Sequence, residues 1–365
     1  MLRTLRVLTL AAAVFAAAPA RADVYLGTYY DNTNSRNGGE ILKFPAATPT
    51  SPVTVAPAGA VTYDSGLTFG RDGFLYAATQ SPGTPGTLQN QIVRINPTTG
   101  AASTFINLTP ISASYNPGGL RFGPDGNLYV AQFGNFGVPG GTIDRFTMSY
   151  TGTVPTPTGA RTSIATNLSN PGSIAFGSDN NLYVSDYLGG TAGGAIIKVT
   201  NPTGASPTTS TFIDSPTGGL QDPTGLTFGP DGNLYVVDQT GSAVRRYSPT
   251  GSALGDLIAS TSSLNGQFPN DLTFDGSTVW VSTLGGNQGG PANPTNQPLG
   301  AVYRFQFNGA GSAATQLGTG PVVSNLWAAN WALQPVPEPG TLALAGGAAL
   351  AGLAAWRRRR PTTRA

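Results

Sequence analysis

One twelve-residue phrase, returning about every fifty residues, constrains this chain more than any other feature. It reads Gly66-Leu-Thr-Phe-Gly-Arg-Asp-Gly-Phe-Leu-Tyr-Ala and returns from Gly119, Ser173 and Gly225, with a shortened copy from Asp271. The starts lie 53, 54, 52 and 46 residues apart, and a period near fifty is that of a propeller blade. Each copy is a β-hairpin by its own chemistry. Leu67 and Phe69, two apart, share one face of a strand. Asp72-Gly73, Asp125-Gly126, Asp231-Gly232 and Asp275-Gly276 supply the turn, because glycine takes a positive φ without steric cost. Asn180 stands in for that glycine once, as the next most tolerant residue. The Leu-Tyr-Val run is the returning strand.

A second phrase marks a third strand: Glu40-Ile-Leu-Lys-Phe and its relatives, with Lys43, Arg94, Arg145, Lys198, Arg246 and Arg304 at one place in six copies. Six third strands imply six blades. The hairpins number five, and the chain ends supply the sixth. Asn330-Trp-Ala-Leu-Gln-Pro aligns with the first strand of a hairpin, and Asp23-Val-Tyr-Leu-Gly with the returning one. The expected architecture is therefore all-β: a six-bladed β-propeller over 23–336, closed by pairing of the N- and C-terminal strands. A residue repeated once per blade serves the blade, so the basic series is expected to keep its charge outside and its stem over apolar neighbours. Tyr76, Tyr129, Tyr183, Tyr235 and Trp280 belong to the core between blades.

Composition agrees. Gly accounts for 50 and Pro for 30 of 365 residues, and only 10% are charged, which suits short strands joined by tight turns. The chain has no cysteine and no histidine. That removes disulfides, thiolate metal sites, Ser-His-Asp chemistry and the commonest general base.

Both ends carry addresses. Arg3 and Arg6 precede an apolar run from Val7 to Ala18, and Ala20 and Ala22 form a small-residue cleavage site before Asp23. Residues 1–22 therefore read as a signal peptide, too short in its apolar run to span a bilayer. At the other end, Pro337-Glu338-Pro339 leads into an apolar segment, 341–356, and then Arg357, Arg358, Arg359 and Arg360. The order of this 337–365 tail resembles the PEP-CTERM sorting signal of Gram-negative bacteria. The resemblance implies a short hydrophobic sorting helix in transient inner-membrane contact, removal by an exosortase-type enzyme after signal peptidase has acted, and release to the cell surface or beyond. Three of the 19 basic residues lie in 1–22 and five beyond 336; one of the 17 acidic residues lies beyond 336. The body keeps 11 basic and 16 acidic groups, so a nucleic-acid partner has no electrostatic support.

The repeats are similar to those of the NHL-repeat and gluconolactonase-like six-bladed propellers. By geometry, the segments entering each first strand reach the mouth of the central channel, and they carry Asn116, Asn170, Asp222, Asn270 and Asp271. Such oxygen donors suit calcium or a sugar; equally, Asn-Pro and Asp-Pro begin turns. Gluconolactonase relatives hold a divalent metal with a Glu, an Asn and an Asp. Pro269-Asn270-Asp271-Leu272 resembles their Asn segment, and Asp222 is the match for their Asp. The Glu has no counterpart, since Glu40 lies in a third strand and Glu338 in the sorting motif. With the metal set incomplete, no cofactor is assigned. The chain is expected to be a non-enzymatic binding or structural component of the envelope or extracellular matrix, with an extracellular polysaccharide or an envelope protein as partner. The alternative is a divergent metal-dependent lactonase-type hydrolase using Asp222, Asn270 and Asp271.

Overall fold

The computed structural model describes residues 22–28, 39–57, 61, 64–79, 90–112, 115–134, 139–189, 193–284, 300–309, 311–326 and 328–336. They form six antiparallel sheets. Blade I runs Ala328–Pro335, Val24–Thr28, Ile41–Phe44, Val53–Ala56, from the axis outwards. Blade II is Asp64–Phe69, Leu75–Thr79, Gln91–Ile95 and Ala102–Asn107. Blade III is Pro117–Phe122, Leu128–Gln132, Gly141–Thr151 and Val154–Leu168. Blade IV is Pro171–Phe176, Leu182–Asp186, Ala195–Thr200 and Thr208–Asp214. Blade V is Pro223–Phe228, Leu234–Asp238, Ala243–Tyr247 and Ala253–Ile258. Blade VI is Pro269–Asp275, Thr278–Thr283 and Gly300–Gln306, with Thr315–Gln316 and Val323–Leu326 both on its outer side.

The hairpins follow the phrase. Gly73, Gly126, Gly232 and Gly276 have φ of 76°, 81°, 78° and 54°, and Asn180 takes 58°. The turn aspartate then does more than begin the turn. Asp125 Oδ1 accepts the Asn127 amide at 3.1 Å, while its Oδ2 accepts the Tyr129 hydroxyl at 2.9 Å. The same pair of bonds recurs at Asp72, Asp179 and Asp231. The basic series completes this knot in part. Lys43 meets Asp23 at 2.6 Å, Arg94 meets Asp72 at 2.7 Å and Lys198 meets Asp179 at 2.9 Å. Arg145 and Arg246 donate to backbone carbonyls instead. The series serves the blades through ion pairs, carbonyls and aromatic faces, with Arg94 over Phe74, Lys198 over Tyr183 and Arg304 over Trp280; Arg246 departs from the expected outward charge, being buried.

Among the described residues, six apolar clusters fill the six spaces between neighbouring blades. The tyrosine of each returning strand meets the phenylalanine of the next blade's first strand edge-on: Tyr25–Phe69, Tyr76–Phe122, Tyr129–Phe176, Tyr183–Phe228 and Tyr235–Phe274, at 5.0–5.3 Å. Each such pair adds about 0.5–1.5 kcal/mol beyond the area it buries. Trp280 closes the series against Phe44 at 5.3 Å. Nearer the axis the backbones almost touch. A Cβ on Gly119 would sit 2.7 Å from the Gly172 carbonyl oxygen, and one on Gly66 2.5 Å from that of Gly118. The first glycine of the phrase is there because the next blade leaves no room for a side chain.

Both chain ends enter blade I, with Val24 opposite Pro335, Tyr25 opposite Gln334 and Leu26 opposite Leu333. The Val336 amide also donates to the Asp23 carbonyl at 2.9 Å. The expected closed ring ending in a helix nevertheless needs correction. The six sheets do not close on one another: each is a separate ladder, and neighbours meet through side chains and glycine backbone. The terminal pairing completes one blade and creates no continuous sheet. The expected sorting helix, at 341–356, lies outside the described residues, and so do Ala20, Pro337–Pro339 and Arg357–Arg360. Among the described residues, helical geometry is confined to one turn, Ser215–Gly218, begun by Asp214 and ended by left-handed Gly219.

Candidate functional site

The six innermost strands surround a narrow axis, with Cα atoms of some second-neighbour strands within 8 Å. Arg121, on blade III, occupies this bore. Its Nη1 donates to the Leu120 carbonyl at 3.0 Å and to the Leu67 carbonyl of blade II at 2.9 Å. Protein atoms crowd around it, yet it stays partly open to water, as a side chain in a channel must. Burial draws its pKa down, and the charge of Asp271, from opposite blade VI, acts the other way. The bore is therefore occupied by a cation.

The channel mouth is where first strands begin and returning strands end. Its scaffold comes from two buried aspartates. Asp186 accepts the amides of Ser169 and Asn170 at 3.0 and 2.6 Å. Asp238 accepts those of Gln221, Asp222 and Gly241 at 3.1–3.3 Å and an Arg245 ion pair at 2.8 Å. Each holds the segment entering its own blade. Phe268 adds a third device: it has φ of 49° immediately before Pro269. A bulky residue in that conformation costs on the order of 1–3 kcal/mol, and it fixes the entry to Asn270.

The five residues expected at the mouth fall into two groups. Asn116 and Asn170 are linked through Phe133, whose amide donates to the Asn116 carbonyl at 2.8 Å and whose carbonyl accepts Asn170 Nδ2 at 3.2 Å. Asp222 and Asn270 are linked through Gln239, whose amide donates to the Asp222 carbonyl at 2.9 Å and whose Nε2 donates to Asn270 Oδ1 at 3.3 Å. Asp271 and Asn270 are both buried. The Asp271 carboxylate occupies the space beside Gly225 that a Cβ there would fill.

Asp222 is the chemically distinctive member. Its carboxylate is half-buried, and among the described residues no cation pairs with it. Thr240 Oγ1 donates to its Oδ2. Burial raises its pKa; the Thr240 bond lowers it and the Asp238 charge raises it further. Tyr187 stands close enough to feel that charge: burial raises the phenol pKa, and Asp222 adds to the rise. A carboxylate with raised proton affinity, held by a threonine hydroxyl and near a phenol, can move one proton.

A metal centre is another matter. Among the described residues no three His, Cys, Asp or Glu side chains converge to hold an ion. Asn270 Oδ1, the amide oxygen offered by the family resemblance, already accepts from Gln239. Glu40 leads into the third strand of blade I, where its amide donates to Thr28 Oγ1 and its carboxylate accepts from Thr54 Oγ1. The donor set does not fit a three-ligand divalent centre.

Sequence reasoning does not reach Arg121, Gln239 or Thr240, and marks Tyr187 only as the start of a glycine-rich loop. Arg121 had a visible signal: the equivalent places hold Thr68, Ala175, Thr227 and Thr273. Tyr187 and Gln239 each follow the returning strand of a blade, in stretches with no fixed pattern.

Residues 335–360 match the PEP-CTERM protein-sorting motif. The chain carries a PEP-CTERM signal. That signal marks the protein for export and for the cell surface or exterior after processing, and it implies an exosortase-type processing partner. The body of this PEP-CTERM protein finds no match among curated proteins. In three dimensions it is similar to several solved propellers. One is in a nidogen/laminin complex, at 17% identity and TM-score 0.56, covering 86% of this chain and 98% of that one. Another is regucalcin from Agrobacterium tumefaciens, described as calcium-binding, at 16% identity and TM-score 0.55, covering 82% and 98%. A third is a protein assigned as a gluconolactonase, at 14% identity and TM-score 0.52, covering 83% and 92%. At these identities the likeness is one of fold. It corrects the expectation of a non-enzymatic envelope component, because this fold is shared with enzyme families and gives no ground for setting catalysis aside.

Proposed function

We propose that the protein is an exported hydrolase for a small, hydroxyl-rich substrate of the sugar-lactone class, acting at the channel mouth. The observation that carries this reading is Asp222: a half-buried carboxylate with raised pKa and no cation beside it. In the proposed reaction the ionised Asp222 takes a proton from the water that adds to the lactone carbonyl. The ring C–O bond breaks, and protonated Asp222 returns the proton to the leaving oxygen, giving the hydroxy acid. Gln239 and Asn270, bonded to each other, fix the segment that carries Asp222, and Thr240 holds the Asp222 carboxylate. Arg121, below, favours the carboxylate product's charge. No step is routed through a metal, since among the described residues no three acidic donors converge and Asn270 Oδ1 already accepts from Gln239.

The active form is read as 23–336, after signal peptidase cuts beyond Ala22 and the exosortase-type enzyme cuts near Pro337–Pro339. Its surroundings would supply lactones from extracellular polysaccharide.

The test is turnover of five- and six-membered sugar lactones by the processed, surface-released protein, followed by acid release. Asp222→Asn should lower the rate by about 10²–10⁴, the range for losing a general base. Equal rates in wild type and variant, or no turnover across the lactone panel, would refute the reading. Activity should also persist in EDTA, and its loss there would return the metal-dependent mechanism.

A further inference from the structure

A cavity lies between the outer strands of blades II and III. It has a volume of about 420 Å³, within the range of small-molecule sites. Its walls are Ile106 and Ile111 from the blade II side, and Phe146 and Pro157 from the long outer hairpin of blade III. Arg161 stands at its edge. The guanidinium is held from behind by Asp144, a fully buried carboxylate, at 2.7 Å. Asp144 is saturated, since Tyr115 Oη also donates to Oδ2 at 2.7 Å and Ser163 Oγ to Oδ1 at 2.6 Å. Burial and the Asp144 charge hold the Tyr115 phenol protonated, well above its ordinary pKa. Arg161 uses only Nη1 in this network; Nε and Nη2 have no partner among the described residues, and the side chain is 35% exposed.

A buried carboxylate that fixes an arginine in place, with donors left over at the edge of a hollow walled by Ile106, Ile111, Phe146 and Pro157 on one part and by Asn107 and Thr147 on another, is built for an anion attached to an apolar body. We propose that this cavity binds an amphipathic monocarboxylate, a medium-length alkyl acid, with the chain against Ile106, Ile111, Phe146 and Pro157 and the carboxylate on Arg161. Bidentate pairing with the free guanidinium edge gives the head-group preference, and the apolar walls give the length preference. The inference does not depend on the channel-mouth reading.

The probe is octanoate against neutral octanamide, titrated calorimetrically into the processed protein at pH 7. Octanoate should bind at least tenfold more tightly. Arg161→Gln should reduce octanoate to the affinity of octanamide, while Arg161→Lys should keep part of the preference. Loss of Arg161 strips Asp144 of its cation, so thermal melts accompany each variant. Ala160→Trp fills the cavity without touching Asp144, and should weaken both ligands at least tenfold. Asp222→Asn should leave binding unchanged. Equal affinity for the two probes, octanoate binding that survives Ala160→Trp, or binding lost in Asp222→Asn would each overturn the proposal.

Discussion

Asp222 and Asp179 belong to one ring and titrate in opposite directions. Asp179 is partly buried, which alone would raise its pKa. Bonds from Lys198, from the Asn181 side chain and amide, and from Tyr183 outweigh that and bring it down to about 2. A carboxylate whose folded pKa lies below its ordinary 3.8 stabilises the fold fully above about pH 4 and loses that contribution as pH falls towards 2. Asp179→Asn should therefore flatten the decline of Tm between pH 5 and 2, measured by thermal melts; its 41% exposure keeps the effect small. Asp222 runs the other way. Its raised pKa means that ionisation costs folding stability as pH rises through the folded value. Asp222→Asn should thus be inactive on lactones yet melt no lower than wild type at pH 7. The acid limb of kcat/KM should lie above the ordinary Asp range, and a limb at or below 3.8 would remove Asp222 as the base.

At the scale of strands and turns, the phrase itself predicts well because every residue in it has a local duty. Leu and Phe alternate, Asp-Gly turns, and the tyrosine returns to bind the turn aspartate. Tyr183→Phe removes one such bond, at 2.9 Å to Asp179, and should cost about 0.5–1.5 kcal/mol in urea unfolding. Gly119→Ala should cost more, about 1–3 kcal/mol, because the Gly172 carbonyl occupies the space its methyl needs. What stayed illegible depends on neighbours brought together only by the ring. Arg121 reaches the Leu67 carbonyl from 54 positions away, and Gln239 meets Asn270 from 31. Asn116, Asn170, Asp222 and Asn270 were visible as a set, but not their division into two linked pairs. Asp144 carries no signal of its own in the sequence, because its partners come from two separate segments, Tyr115 before blade III and Arg161 and Ser163 on its outermost strand.

For the molecule as a whole, the sorting signal and the last strand share a boundary: the matched motif begins at Pro335, the residue that pairs with Val24. Mass spectrometry of surface-released protein should find no residue of 357–360, and an intact arginine tail would contradict removal. Deleting 328–336 should cost far more than its length suggests, because it strips Val24–Thr28 of the partner on its axial side. That pairing also orders events in time. The strand at Ala328–Pro335 is the last part of the body to be synthesised and the last to cross the export channel, whereas its partner crosses among the first. For most of the passage the leading segment must wait with one edge unpaired, exposed to mispairing with other chains in transit. A tail held in the lipid until the two ends of the body have met would keep each molecule apart from its fellows, and a processing-blocked variant should then fold with the strand pair already formed.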